Sequence, residues 1–188
     1  MKFLIVGLGN IGAEYAFTRH NIGFLAVDRF AEKIQTTFKS DRFGDIAKGT
    51  IKGKQITILK PNTYMNLSGK AVRFWMNQLQ IPIEQVFIIV DDLALPFGTL
   101  RVRSSGSDAG HNGLKSMQTE LGTSAYPRLR FGVGNDFPKG KQVEYVLGRW
   151  TSEQEIALPL KLEKCTEIIQ SFCLAGIQIT MNQFNNQS

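Results

Sequence analysis

The sequence predicts a single-domain, three-layer α/β/α fold around a mixed, mostly parallel twisted sheet. Three observations predict it. Strand-length apolar runs alternate with amphipathic stretches of helical period along the chain. Val86-Phe87-Ile88-Ile89-Val90 is apolar at every position, as expected of a strand buried on both faces. Only one strand pair is joined by a tight turn, at Lys52-Gly53-Lys54, so one hairpin joins an order otherwise built on crossovers. A chain of 188 residues suits one domain spanning 1–188, with a tail over 185–188 expected to fray.

The elements follow in order. Phe3 to Val6 forms a strand that breaks at Gly7-Leu8-Gly9-Asn10-Ile11-Gly12, and a polar loop then carries Tyr15, Thr18, Arg19, His20 and Asn21. Phe24, Val27, Ala31, Ile34 and Phe38 recur at three and four, which predicts a helix from about Ile22 to Thr37. Ile46 to Ile51 and Gln55 to Leu59 are the arms of the hairpin, and Pro61 stops the second. Ser68 is placed to cap a helix running to about Leu79, ended by Pro82. The buried strand delivers Asp91 and Asp92 at its end, and Leu100 to Arg103 forms a short strand after it. A small-residue loop from Ser104 to Gly110 leads to His111-Asn112-Gly113 and a helix through about Leu121. Arg128 to Val133 is the last strand, followed by a short helical stretch near Gln142 to Leu147. Ser152 and Glu155 form a capping-box pair for a C-terminal helix that Pro159 is expected to kink, with a second piece reaching Phe184.

Composition narrows the function classes. Hydrophobic residues make up 43% and charged residues 20%, which suits a packed globular domain and not a disordered chain. Lysine and arginine number 22 against 16 acids, a net charge of +6 that favours a polyanionic partner. Two cysteines, Cys165 and Cys173, suit a reducing compartment better than a disulfide framework. No apolar run is long enough to span a bilayer, so the expectation is a cytoplasmic protein with no membrane partner. Two histidines and no close cysteine pair give no metal constellation, and G-x-S-x-G and P-loop motifs are absent.

Gly7-Leu8-Gly9-Asn10-Ile11-Gly12 satisfies G-x-G-x-x-G, but a dinucleotide site needs a helix that begins at those glycines. Here Tyr15 to Asn21 intervene, and no acid follows at the end of a second strand to hold a ribose. No cofactor is expected. His20 stands in a loop at the mouth of the sheet, where α/β proteins place their chemistry. A loop histidine on its own is usually just solvated; a carboxylate beside it changes that. Asp91 at the strand end is such a group, and Asp92 is its equal on composition alone. A carboxylate on one ring nitrogen fixes the tautomer and leaves the other nitrogen free to take a proton. Asn10, Asn66 and Asn112 each sit in a loop, where asparagine commonly makes a turn, but several amides converging on one cleft can grip a peptide. His111 reads equally as a second base or as a helix cap.

Asn10, His20, Met65-Asn66, Asp91 and Gly110-His111-Asn112-Gly113 together resemble the bacterial peptidyl-tRNA hydrolase family. The flanks agree: Val6-Gly7-Leu8-Gly9-Asn10, Tyr15, Thr18-Arg19-His20-Asn21, Lys60-Pro61, Tyr64 to Gly69 and Val146-Leu147-Gly148. Three positions depart from the pattern: Ile11 replaces a usual proline, Ala94 a common aspartate, and Ser107-Asp108-Ala109 a more glycine-rich run. The resemblance implies a cofactor-free, monomeric esterase that cleaves the bond between a peptide and the terminal ribose of tRNA. It implies His20 as general base, Asp91 as its orienter and Asn10 as the sensor of a blocked α-nitrogen. Tyr15, Tyr64, Asn66 and Asn112 would then line the substrate cleft, and Arg103 and Arg130 would hold a tRNA phosphate. The rival from another class is a non-catalytic RNA-binding protein, which needs the basic face but not His20 with Asp91.

Overall fold

The computed structural model describes residues 1–186. Seven strands form one sheet: β1 (Lys2–Gly7), β2 (Lys39–Asp41), β3 (Gly44–Ile51), β4 (Lys54–Pro61), β5 (Val86–Asp92), β6 (Leu100–Arg103) and β7 (Arg128–Gly132). Their order across the sheet is β2-β3-β4-β1-β5-β7-β6. The central strands β4, β1, β5 and β7 are mutually parallel, and antiparallel partners close both edges. The fold is the mixed, mostly parallel α/β sandwich that the sequence predicts.

The helices are α1 (Ile22–Lys33), α2 (Ser68–Leu79), α3 (Asn112–Leu121), α4 (Gln142–Val146), α5 (Ser152–Ala175) and α6 (Ile177–Phe184). Alternation along β1 divides the core. Phe3 and Ile5 pack with Ile22, Phe30, Ile168 and Phe172 beneath α1 and α5. Leu4 and Val6 pack with Ala71, Val72, Leu114 and Met117 beneath α2 and α3. Every residue of β5 is buried, including its two terminal aspartates. Cys165 and Cys173 lie in the α1 layer as free thiols, each pushed up to about 12 by burial.

Several expectations need correction. The first helix stops at Lys33, because Gln35 turns into the left-handed region at φ 56 and starts the descent to β2. That strand, Lys-Ser-Asp, is exposed throughout and has no apolar period to betray it. Ser68 does not cap α2; its hydroxyl donates to the Met65 carbonyl at 2.8 Å. The capping box of α5 is Thr151 with Gln154, one residue ahead of the pair read from sequence. Pro159 lies inside α5 without ending it. Within the tail, Asn185 donates to the Val102 carbonyl and accepts from its N–H; residues 187–188 of the expected frayed segment lie outside the described residues. Among the described residues no helix is long and apolar enough to cross a membrane.

One close approach brings both layers to the sheet's end. A Cβ on Gly7 would lie 2.1 Å from the Gly23 carbonyl oxygen, so only glycine lets α1 seat directly against β1. The turn after β1 therefore does not begin a helix. A 3-10 turn at Ala13–Tyr15 intervenes, and α1 starts only at Ile22, so the glycines aim no helix N-terminus at a pyrophosphate.

Candidate active site

The C-terminal ends of β1, β4, β5 and β7 open onto one side of the molecule. In parallel sheets the loops leaving such ends form a crevice. Asp91 lies at the end of β5, 5% exposed. His20 reaches it from the 3-10 turn Arg19–Asn21 that precedes α1, with Nδ1 at 3.0 and 2.9 Å from the two carboxylate oxygens. His111 reaches it from the opposite layer, with Nε2 at 2.8 Å from Oδ1. The ring centroids are 4.9 Å apart.

Hydrogen bonding fixes both tautomers. His111 Nδ1 accepts from the Gly113 N–H at 3.0 Å as the N-cap of α3, so its proton lies on Nε2 and is donated to Asp91. Both readings of His111 meet here: it caps the helix and it touches the acid. An ionised Asp91 can only accept, so His20 Nδ1 must carry a proton as well. In the neutral ring Nε2 then bears the lone pair, and among the described residues it has no hydrogen-bond partner. Burial pushes the Asp91 carboxyl up, but Coulombic attraction and hydrogen bonds from His111 and His20 outweigh it, holding the group well below its ordinary 3.8. Asp92 is separate: its Oδ1 accepts from the Ala94 N–H and its Oδ2 lies 3.5 Å from Arg130.

The two histidines and Asp91 are also the one group among the described residues whose ligand atoms all fall within 4.8 Å of one another. Their nitrogen–oxygen gaps of 2.8–3.0 Å suit shared protons. Ligand edges around tetrahedral zinc run to roughly 3.3 Å at the usual bond lengths, so a metal would require the trio to spread.

His20, Asp91, Asn112 and Arg130 line one cavity of about 370 Å³, with Asn135, Phe137 and the α4 residues Gln142, Val143 and Val146 opposite. Asn66 is not in it; with Asn112, Lys115 and Glu120 it borders an adjoining depression. Asn10 lines a third, beside Asn21, Asp28 and Lys60. Its side chain is nonetheless tied to the Asn66 loop, since Asn10 Oδ1 accepts from the Met65 N–H at 2.8 Å. Tyr64 stands at the rim, 58% exposed. Tyr15 is half-buried in its 3-10 turn, where its carbonyl accepts from the Thr18 N–H and hydroxyl.

Arginines crowd the β6–β7 edge. Arg101 pairs with Arg130 and Arg103 with Arg128 across the ladder, so all four side chains leave the same face. Arg128 is fully buried and donates to the carbonyls of Gly106, Ser124 and Tyr126, holding the loop that leads to His111. Arg103 is pushed down by burial and by its neighbours Arg101 and Arg130. Arg130 leans on Asp92 and the Ser107 carbonyl, and its Nε is buried without a partner.

Two residues play parts that sequence reasoning did not assign. Asn21 is 1% exposed and brackets Asn10: its Oδ1 accepts from the Asn10 N–H and its Nδ2 donates to the Asn10 carbonyl, both at 2.9 Å. Arg19 is buried against Tyr145 and Trp150. Adjacency to His20 and a place in the Thr18-Arg19-His20-Asn21 flank were the only signals either residue carried.

Comparison with known proteins agrees with this geometry. The family model described as peptidyl-tRNA hydrolase matches residues 4–188. A peptidyl-tRNA hydrolase from Bacteroides fragilis is 59% identical over 187 residues, and one from Parabacteroides distasonis 58%, each alignment covering 100% of both chains. The crystal structure of peptidyl-tRNA hydrolase from Acinetobacter baumannii superposes with a TM-score of 0.92 at 34% identity, covering 98% of this chain and 94% of that one. A shared fold, near-complete mutual coverage and a full-length family match lead to one conclusion: this chain belongs to the peptidyl-tRNA hydrolase family.

Proposed function

We propose that the protein hydrolyses the ester between an N-blocked peptide and the terminal ribose of tRNA in the cytoplasm, as a monomer, with His20 as general base. What supports this is the state of His20. Its Nδ1 is occupied by Asp91, the residue lines the cavity, and in the neutral ring Nε2 is left as the acceptor. A water on Nε2 gives up its proton as its oxygen attacks the ester carbonyl. The tetrahedral intermediate collapses with cleavage of the bond to ribose, and the imidazolium returns the proton to the departing hydroxylate. Asp91 steadies the imidazolium without taking the proton. Asn112, at the cavity wall, is the amide placed to donate to the developing oxyanion.

Selection for a blocked substrate follows from Asn10. The Met65 N–H can only donate, so the atom facing it must be Oδ1, and Nδ2 is left as the outward donor. An acylated α-nitrogen presents a carbonyl that accepts from Nδ2. A free ammonium presents only donors and meets another donor, which leaves both poorly paired. Tyr15, Tyr64 and Asn66 border the path of the peptide and the terminal nucleotide. Arg103 and Arg130 supply cations for the phosphates, and the net charge of +6 adds a general attraction for the polyanion.

The test is parallel incubation with N-acetylaminoacyl-tRNA and its unblocked counterpart. Release of tRNA from the first and not the second is the expected result. Binding of both without release would reject hydrolysis in favour of the non-catalytic RNA-binding rival.

A further inference from the structure

We propose that Arg19 is a positioning residue that pins the α4 wall of the cavity to the loop carrying His20. This rests on the reading of that cavity as the substrate site. α4 has five residues, none of them fully buried; Tyr145 ties it to the core, with its ring against Phe137 and its hydroxyl donating to the Val133 carbonyl at 2.6 Å. Val143, one of the three cavity-lining residues of α4, is 68% exposed. A second anchor, to the His20 loop, is Arg19, 7% exposed. The guanidinium carbon lies 4.1 Å over the Tyr145 ring and 5.9 Å from that of Trp150. One terminal nitrogen donates at 3.1 Å to the Tyr145 carbonyl, which also accepts from the Gly148 N–H at the C-terminal end of α4. The other donates at 3.3 Å to Gln154 Oε1, which also accepts from the Thr151 N–H in the capping box of α5. The main chain adds to this: the Arg19 N–H donates to the Gly148 carbonyl, and Thr18 bridges to Arg149.

A buried arginine commonly answers a carboxylate. Here the fork answers a helix-end carbonyl and a cap amide, and its flat face answers two rings. One planar cation thus joins three pieces: the His20 turn, the end of α4 and the start of α5. Gly148 is part of the fit, since a Cβ there would lie 3.0 Å from the guanidinium and 3.1 Å from the Glu144 and Tyr145 carbonyl oxygens. Lysine cannot reproduce the arrangement, because a point charge neither stacks nor forks.

Amide hydrogen exchange of the free protein and steady-state hydrolysis of N-acetylaminoacyl-tRNA test the assignment together. Arg19→Met is expected to speed exchange at least tenfold across 142–148 while β5 and α1 keep wild-type protection. KM should rise about tenfold with a smaller fall in kcat, since the wall loosens while His20 keeps Asp91. Gly148→Ala, which crowds the same contact from the other side, should shift exchange and KM in the same direction and serves if the first variant does not fold. Arg19→Lys should resemble Arg19→Met. Wild-type exchange at 142–148 in Arg19→Met, Gly148→Ala or Arg19→Lys would overturn the proposal, as would loss of protection spread evenly over β5 and α1. The exchange arm needs no substrate, so it stands or falls independently of the proposed hydrolysis.

Discussion

The loop before α1 and the loop before α3 each send a histidine to the same carboxylate, and they leave those histidines in different states. His111 has both ring nitrogens engaged, one by the helix it caps and one by Asp91. His20 has one engaged and one facing the cavity. Proximity to an acid therefore does not make a base. A free lone pair does, and it exists on His20 because the 3-10 turn Arg19–Asn21 offers no N–H to that ring. At the start of α3 the amides of Gly113 and Leu114, which have no intrahelical partner, claim the second nitrogen of His111.

The largest expected effect tests that asymmetry directly. His20→Ala should lower kcat by roughly 10²–10⁴-fold, the contribution of a positioned general base, with little change in tRNA affinity. His111→Asn should cost no more than about tenfold. Asparagine keeps the cap but is too short to reach Asp91, so α3 should be destabilised by less than the ~1 kcal/mol that loss of a cap costs. Equal losses of turnover in the two variants would erase the distinction between the loops.

Asp91→Asn comes next. An amide can present its NH₂ to His20 Nδ1, which moves the ring proton to Nε2 and removes the base; a fall in kcat on the order of 10² is expected. The acid also carries a pH signature. Its folded value lies below the ordinary 3.8, so its contribution to stability is fully present above that value and is lost as pH falls through the folded value. Denaturation of wild type and Asp91→Asn at several pH values should give a difference that persists at pH 5 and shrinks below about pH 4. A difference that disappears near pH 6 would mean the carboxylate is not held by the two rings as drawn.

These contrasts were partly legible before any fold was in view. Periodicity gives α2 and α3 because their buried positions recur at three and four, and β5 because nothing polar interrupts it before Asp91. It misses β2, which buries nothing, and overruns α1, where Phe38 extends an apolar register that a left-handed Gln35 has already broken. The His20–Asp91 pairing was within reach because strand ends collect functional acids. The choice of Asp91 over Asp92 came only from the family resemblance, because on the residues alone it turns on which way two adjacent side chains leave one strand. Arg19 was invisible for a plainer reason: its side-chain partners lie 126 and 135 residues away, on segments with no pattern linking them to the first loop.

Asn10→Asp sharpens the comparison on the His20 side. With one oxygen still accepting from Met65, the second would present an acceptor where Nδ2 now presents a donor. Discrimination between blocked and unblocked esters should fall by about tenfold or more, because the ammonium gains a partner and the acyl carbonyl loses one. Unchanged selectivity would place the sensor elsewhere.

The smallest effect belongs to the arginine edge, on the His111 side. Arg103 is crowded by like charge from Arg101 and Arg130, and Arg130 meets a carboxylate only at 3.5 Å, on Asp92, beside its bond to the Ser107 carbonyl. Two cations held this way gain from a phosphate what they lack at home, and each phosphate contact releases condensed counterions. Arg103→Gln with Arg130→Gln should therefore weaken tRNA binding and reduce the slope of log affinity against log salt by about 2, with kcat at saturating substrate nearly unchanged. The separation of effects is the informative part: His20 governs turnover at any salt concentration, whereas the arginines govern affinity only as far as counterions permit. A double variant with an intact salt slope would move the RNA seat off β6 and β7, and one that lost kcat instead would show that Arg130 acts on Asp92 and the cavity rather than on the nucleic acid.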